Sequence, residues 1–224
     1  MGKKALIFGH SSGLGFEISV ALLRDNFEVV GISRHKSEEK NPNLTNIEAD
    51  LSQKSDIDRV LAEIRSKHSN FDIMIYTAGT LTAHDLDKLD YDEMEYSYRV
   101  NTFAPMYIES GLLDLIKSNG ADVVNVTSSS LIDYYPQFAE YSTSKAALAK
   151  FTSDLQAEFS ETKSRVIDIC PSGFTSNIYK NMSGIKIDRD ESAQMKSSDL
   201  AALIIYILKL PKIMEVSHIY INRK

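Results

Sequence analysis

Ala5-Leu6-Ile7-Phe8-Gly9-His10-Ser11-Ser12-Gly13-Leu14-Gly15 decides how the rest of this chain is read. Four apolar residues of strand length, Ala5–Phe8, run into a turn whose glycines are spaced G-x3-G-x-G, and a helical stretch, Leu14–Asp25, follows at once. Glycines permit a tight turn and let backbone approach a phosphate closely. The helix start beyond them offers unpaired N–H groups and roughly half a positive charge. The Ser11 and Ser12 hydroxyls add donors. Glycine punctuates many loops, so the cluster alone fits a plain strand-to-helix connection equally well. Its position directly after the first strand favours phosphate binding.

Outward from this turn, strand-length apolar runs alternate with amphipathic segments. Glu28–Ser33 and Ile47–Ala49 read as strands two and three. Asp56–His68 reads as a helix, with Ile57, Val60, Leu61 and Ile64 at helical spacing, and Asp72–Tyr76 as a fourth strand. A long helical stretch from about Asp92 to Ser118, a strand Asp122–Thr127, a helix Ala139–Phe159 and a strand Arg165–Cys170 follow. A helix Ser198–Leu210, capped by Ser197 or Ser198, and a strand Ser217–Ile221 complete the series. This rhythm predicts an α/β fold, a doubly wound parallel sheet with helices on both faces and ligands at the carboxyl ends of the strands. No linker or repeat interrupts it, so residues 1–224 read as one domain. Residues 174–196, polar and mixed, read as a mobile substrate loop or short helix.

Composition excludes several classes. A net charge of −6 without any run of five lysines or arginines gives no footprint for nucleic acid or an anionic membrane. No apolar run approaches the ~18 residues of a membrane span. Four apolar residues before Gly9 are too few for a signal peptide. A single cysteine, Cys170, rules out an internal disulfide and a multi-cysteine metal site, and the five histidines form no H-x3-H pair. The expected location is reducing and cytoplasmic. His10 is expected to face solvent, Cys170 to be a small buried hydrophobe, and Asp85–Glu95 to be a solvated loop and helix start.

The chemistry concentrates in Tyr141-Ser142-Thr143-Ser144-Lys145, with Ser128 thirteen residues upstream at a strand end. Tyr141 and Lys145, at i and i+4, share a helix face. A free tyrosine has a pKa near ~10, and a neighbouring ammonium favours its phenolate. Bringing it down by ~2–3 units takes roughly 3–4 kcal/mol and suits general acid–base catalysis. Tyr220–Lys224 repeats the spacing, but on a strand, where the two side chains lie ~13 Å apart. Tyr134, Tyr135, Phe138, Ile178, Tyr179 and Met182 are candidates for an apolar, partly aromatic pocket, and packing against their own scaffold explains some of them equally well.

Together these motifs resemble the short-chain dehydrogenase/reductase family in its shorter, non-extended branch. The resemblance spans nearly the whole chain and adds, in order, Asp50-Leu51, Ala78-Gly79, Asn101 and Pro171-Ser172-Gly173. It implies an oxidoreductase that reduces a ketone or aldehyde with a nicotinamide cofactor. Tyr141 would donate the proton, Ser128 would orient the carbonyl oxygen, and Lys145 would tune Tyr141 and bind the nicotinamide ribose. Asn101 would kink its helix and hold a water linked to Lys145; on sequence alone a buried asparagine satisfying backbone fits equally. Cofactor contacts would come from Gly9, Ser11, Ser12, Gly13, Leu14, Asp50, Leu51, Ala78, Gly79, Pro171, Gly173, Phe174 and Ser176, besides Tyr141 and Lys145. Ser33 takes the place of the acidic residue that holds a ribose 2′-hydroxyl, and Arg34 follows it. An arginine there suits a 2′-phosphate, so NADP(H) is expected over NAD(H), against the alternative of a solvated basic turn. Phe8 stands where the family has threonine, Tyr76-Thr77 replaces Asn-Asn, and Pro171-Ser172 replaces Pro-Gly. A silent NADP-binding sensor or scaffold on the same fold is the competing reading. The partner is a small-molecule carbonyl or alcohol, and Leu148, Phe151 and Leu155 are expected to help join a homodimer or homotetramer.

Overall fold

The structure, a computed structural model, describes residues 2–187, 190 and 194–224. Within them the chain runs β1 (Lys4–Phe8), α1 (Gly13–Arg24), β2 (Glu28–Ser33), β3 (Leu44–Glu48), α2 (Lys54–Lys67), β4 (Ile73–Tyr76) and β5 (Thr82–Ala83). It continues through α3 (Tyr91–Tyr98), α4 (Ala104–Gly111), α5 (Leu113–Asn119), β6 (Asp122–Val126), α6 (Ala139–Phe159), β7 (Val166–Pro171), β8 (Ser183–Gly184), α7 (Ser197–Leu208) and β9 (His218–Ile221). Among the described residues seven strands form one parallel sheet in the order β3-β2-β1-β4-β6-β7-β9. The central strands β1, β4, β6 and β7 carry almost unbroken apolar runs because both of their faces are covered. Ile57, Val60 and Ile64 of α2, Ile108 of α4 and Leu155 of α6 pack on one face. Ile18 and Leu22 of α1 and Ile204 of α7 pack on the other. The expected doubly wound α/β sheet is thus present. The order in which strands are added to it reverses between β1 and β4, which opens a crevice at the carboxyl ends of these strands.

Several expectations need correction. The third strand starts earlier, at Leu44. The long helix is broken: α3 passes into a π-turn over Arg99–Phe103, then α4, and the chain breaks again at Leu112. Pro105 gives the reason for the first break, because its ring nitrogen has no hydrogen to offer the preceding turn. The Ala104 N–H reaches back to Arg99, and the Val100 carbonyl is left without its helical donor. Lys196, not a serine, occupies the N-cap of α7; Ser197 already lies in the helix and its hydroxyl donates to the Thr175 carbonyl (2.8 Å). Leu148 and Leu155 are buried within the chain and present no exposed face, while Phe151 is half-buried against its core. Phe103, Met106 and Tyr107 are the exposed large apolar side chains next to and on α4. The 174–196 segment falls partly on 188–189 and 191–193, which lie outside the described residues. Its described part contains β8, paired in parallel with β5, and a bridge between Phe174 and Met195. No helix among the described residues is long and apolar enough to cross a membrane.

Candidate active site

The β1–α1 turn is built around two positive-φ glycines, Gly9 (φ +96°) and Gly13 (φ +55°). A Cβ on Gly9 would lie 2.6 Å from the Ala78 amide nitrogen, and one on Gly15 would overlap the Gly9 carbonyl. Glycine at these positions lets the turn press against the end of β4. The result is a cavity of about 870 Å³ at the carboxyl ends of β1, β2 and β4. Of the expected cofactor residues, Gly9, Ser11, Ser12, Gly13, Leu14, Ser33, Arg34, Asp50, Leu51, Ala78, Gly79, Phe174 and Ser176 all line it. The N-terminus of α1 opens onto it with no side-chain cap on its first amides.

At the outer end of this cavity Arg34 is exposed, and its guanidinium donates to the Tyr96 hydroxyl (3.3 Å). No carboxylate occupies position 33. His10 overturns its expected solvent exposure: it is 0 % exposed. Its ring lies against Gly31, where a Cβ would overlap it, and its two nitrogens reach Ser33 Oγ (2.9 Å) and Asn46 Oδ1 (2.6 Å).

A second cavity, about 680 Å³, adjoins the first and shares Thr77, Gly79, Val126 and Phe174 with it. Ser128, Tyr141 and Lys145 line this cavity together, with Pro171 and Gly173 opposite. Ser128 follows β6, and its hydroxyl accepts from the Ser130 N–H (3.2 Å). Lys145 is buried, and Nζ donates to the Val126 carbonyl (2.9 Å). Burial pulls its pKa down to about 8, against the opposing charge of the buried Asp168. Of the competing pair, Tyr220 lies on β9 and is half-exposed, whereas Lys224 lies beyond that strand. Tyr135, Phe138, Ile178 and Tyr179 border the second cavity, whereas Tyr134 is 95 % exposed and Met182 is buried behind it.

Asn101 lines neither cavity. Its side chain is fully buried in the π-turn, accepts from the Thr80 N–H (2.9 Å), and donates toward the Thr80 carbonyl (2.9 Å), Ser97 Oγ (3.1 Å) and Ser144 Oγ (3.0 Å). It therefore fastens the strand-four loop to the helix of Tyr141 and Lys145.

Two departures from the family pattern prove to be one feature. The rings of Phe8 and Tyr76 stack at 5.9 Å and 23°, and the Tyr76 hydroxyl donates to the Val100 carbonyl (2.6 Å), the group orphaned by the π-turn. Thr77 Oγ1 donates to the Phe8 carbonyl (2.9 Å). Ser172 accepts the Arg223 N–H on its hydroxyl (2.8 Å), so the altered Pro-Gly site holds the segment after β9.

Sequence reasoning missed other residues. Asp168 on β7 accepts from Thr127 Oγ1 (2.6 Å) and pairs with His218 (3.2 Å) behind Lys145. Cys170 is buried as expected; burial pushes its thiol up to about 12, and Sγ lies 2.9 Å from Thr127 Oγ1. His84 meets Glu140, next to Tyr141, at 3.2 Å and Glu93 at 3.4 Å, tying β5 to the start of α6. Scattered single residues on four elements carry no motif that could have announced these pairings.

The sequence signature of the short chain dehydrogenase family matches residues 3–184, and the chain belongs to that family of oxidoreductases. It is 26 % identical over 233 residues to an uncharacterized oxidoreductase of Staphylococcus saprophyticus, covering 98 % of this chain and 94 % of the relative. Among solved structures, a short chain dehydrogenase family protein from Francisella tularensis superposes with a TM-score of 0.86 at 25 % identity, covering 99 % and 98 % of the two chains. An alcohol dehydrogenase from the archaeon Thermococcus sibiricus, complexed with 5-hydroxy-NADP, shares the fold with a TM-score of 0.87 at 20 % identity, covering 100 % and 97 %.

Proposed function

We propose that the protein is an NADPH-dependent carbonyl reductase in which Tyr141 acts as general acid. The observation that carries this reading is the convergence of Ser128, Tyr141 and Lys145 on one cavity that opens into the glycine-lined one. The residues fit a nicotinamide dinucleotide. The Gly9–Gly15 turn leaves a cradle a Cβ would fill and suits a pyrophosphate, and Asp50 and Leu51, which line the same cavity, would contact the adenine. Arg34, with serine rather than a carboxylate before it, suits a 2′-phosphate. The Thermococcus relative bound to an NADP analogue agrees with that choice. When bound, the cofactor supplies the hydride.

The chain does the rest. Ser128 hydrogen-bonds the substrate oxygen and holds it toward Tyr141, whose phenol delivers the proton as that oxygen gains charge. Lys145 keeps a positive charge beside the phenol at neutral pH, since its pKa of about 8 lies above the working range. Phe138, Ile178 and Tyr179 exclude water from an apolar substrate. Residues 1–224 then act as one unit with both halves of the site.

NADPH oxidation with a panel of ketones, aldehydes and quinones tests the reading. Turnover is expected with at least one carbonyl class. Tyr141→Phe is expected to retain NADPH binding and to lose turnover by about 10³-fold, or ~4 kcal/mol. Tight NADPH binding without turnover across the panel would move the protein to the sensor reading.

A further inference from the structure

In the proposed site two loops would hold the cofactor's phosphate groups. One is the glycine turn after β1; the other is the turn Ser33–Ser37, which carries Arg34. His10 belongs to the first, bonds directly to Ser33 at one end of the second, and reaches Ser37 at the other end through Asn46. On the inner side, Ser33 Oγ lies 2.9 Å from His10 Nδ1 and 2.8 Å from the His35 carbonyl, with one hydroxyl proton between the two acceptors. On the outer side, Asn46 Oδ1 accepts from His10 Nε2 (2.6 Å) and from the Ser37 N–H (3.0 Å). Asn46 itself sits on β3. One imidazole therefore joins the β1 turn, the end of β2 and β3.

The ring has no freedom to do otherwise. It is fully buried, and the room for it exists because residue 31, one strand over, is glycine. Asn46 Oδ1 is an acceptor to both neighbours, so Nε2 carries a proton and Nδ1 accepts from the Ser33 hydroxyl, whose proton it shares with the His35 carbonyl. Burial holds the imidazole below the ordinary histidine range, against the opposing Asn46 bond, which leaves the ring neutral. The Ser33 hydroxyl is thereby committed to protein on its buried side, and the backbone of residues 33–37 is clamped at two points.

We propose that His10 is a positioning residue for cofactor selectivity: it ties the pyrophosphate turn to the turn bearing Arg34, so that Arg34 meets the cofactor's 2′-phosphate from a preset backbone. This rests on the NADPH reading above. Preorganisation of the turn lowers the ordering cost when the phosphate binds, and the benefit falls on the ligand that has that phosphate.

The test is a double-mutant cycle on the full chain, reading dissociation constants and KM for NADPH and NADH separately. His10→Phe keeps ring volume over Gly31 and removes both hydrogen bonds. It is expected to weaken NADPH about tenfold while NADH changes less than about twofold, the change appearing in KM for NADPH. His10→Asn, which keeps a polar group at the Nδ1 position, is expected to recover most of the loss. In an Arg34→Ala background His10→Phe is expected to add little, because the effect passes through Arg34. Should His10→Phe not fold, Asn46→Ala cuts the outer link and is expected to act in the same direction with a smaller change. Equal losses for both cofactors, or full additivity with Arg34→Ala, overturns the proposal and leaves His10 as a packing residue. If Arg34→Ala discriminates between the cofactors and His10→Phe does not, this inference alone fails. If the unaltered protein binds NADPH no tighter than NADH, the cofactor reading fails first and this one with it.

Discussion

Two buried cations stand at opposite ends of β6 and β7, and the molecule treats them in opposite ways. Arg165, just before β7, spends its guanidinium on protein. Nε and Nη2 grip the buried Asp122 carboxylate (3.0 and 2.8 Å), while Nη1 and Nη2 also reach the Leu208, Leu210 and Met214 carbonyls, each at 3.2 Å. Lys212 adds a second cation to Asp122 at 2.6 Å. The cluster fastens the α7–β9 connection to the amino ends of the strands. Lys145, at the carboxyl end, has a bond to the Val126 carbonyl and the more distant Asp168 charge to offset its burial. Of an ammonium's three donors, the described contacts use one. A cation surrounded by protein acceptors has nothing left for a ligand. One left partly unpartnered in a cavity is a cost to the native state and a resource for chemistry.

Exchanging each cation for an apolar chain should therefore break different properties. Lys145→Met is expected to cost turnover by about 10³-fold, or ~4 kcal/mol, without lowering the melting temperature. In the unaltered protein, reduction should fall as pH rises through about 8, where Lys145 loses its proton. Initial rates from pH 6 to 9 beside thermal melts check both; turnover within tenfold of the parent would undo the assigned role. Arg165→Met should do the reverse. It leaves the buried Asp122 with the half-exposed Lys212 as its remaining cation, is expected to cost about 3–5 kcal/mol in denaturant unfolding, and leaves the molecules that remain folded active. A mild stability loss would mean that Lys212 alone satisfies Asp122.

Glu109 offers a third, anionic point of comparison. It is fully buried on α4, shares Asn125 Nδ2 (3.3 Å), and burial raises its pKa from the ordinary 4.5 to about 8. The folded form thus binds its proton more tightly than the unfolded form. The stability it contributes is full below pH 4.5, declines as pH rises, and is gone above about 8. Glu109→Gln cannot ionise and should flatten this decline, a gain of up to about 4 kcal/mol at pH 9 and little at pH 5. Parallel pH–stability curves for the two proteins would count against it. The smallest effect belongs to Tyr76→Phe, which keeps the stack on Phe8 and removes the donor to Val100. Roughly 1 kcal/mol of stability should go, with a several-fold loss of turnover as the π-turn holding Asn101 loosens. An unchanged rate would show that Pro105 suffices to shape the turn.

Much of this was legible along the chain. The glycine turn could be read because glycine answers a local need, positive φ and close backbone approach, and because its neighbours in sequence are its neighbours in space. Tyr141 and Lys145 could be read for the same reason, being one helical turn apart. Arg34 was found from its place at a strand end. His10 was misread because its burial depends on Gly31, a glycine twenty-one residues away whose meaning appears when β1 and β2 are set side by side. Phe8 and Tyr76 looked like two unrelated departures until β1 and β4 paired them in register. The helix from Asp92 to Ser118 looked continuous because apolar periodicity does not report which carbonyl a proline orphans.

Short-range chain chemistry was enough to predict the α/β sheet and to single out the glycine turn and the Ser128, Tyr141 and Lys145 triplet as candidates, since backbone geometry and helical spacing act within a few residues. Contacts across strands settled which polar groups are free to meet a ligand and which are spent on the scaffold. Burial and hydrogen-bond satisfaction are properties of the packed whole, so only the folded sheet showed that Arg165 is a clamp and that Lys145, already a candidate from its spacing, lines a cavity.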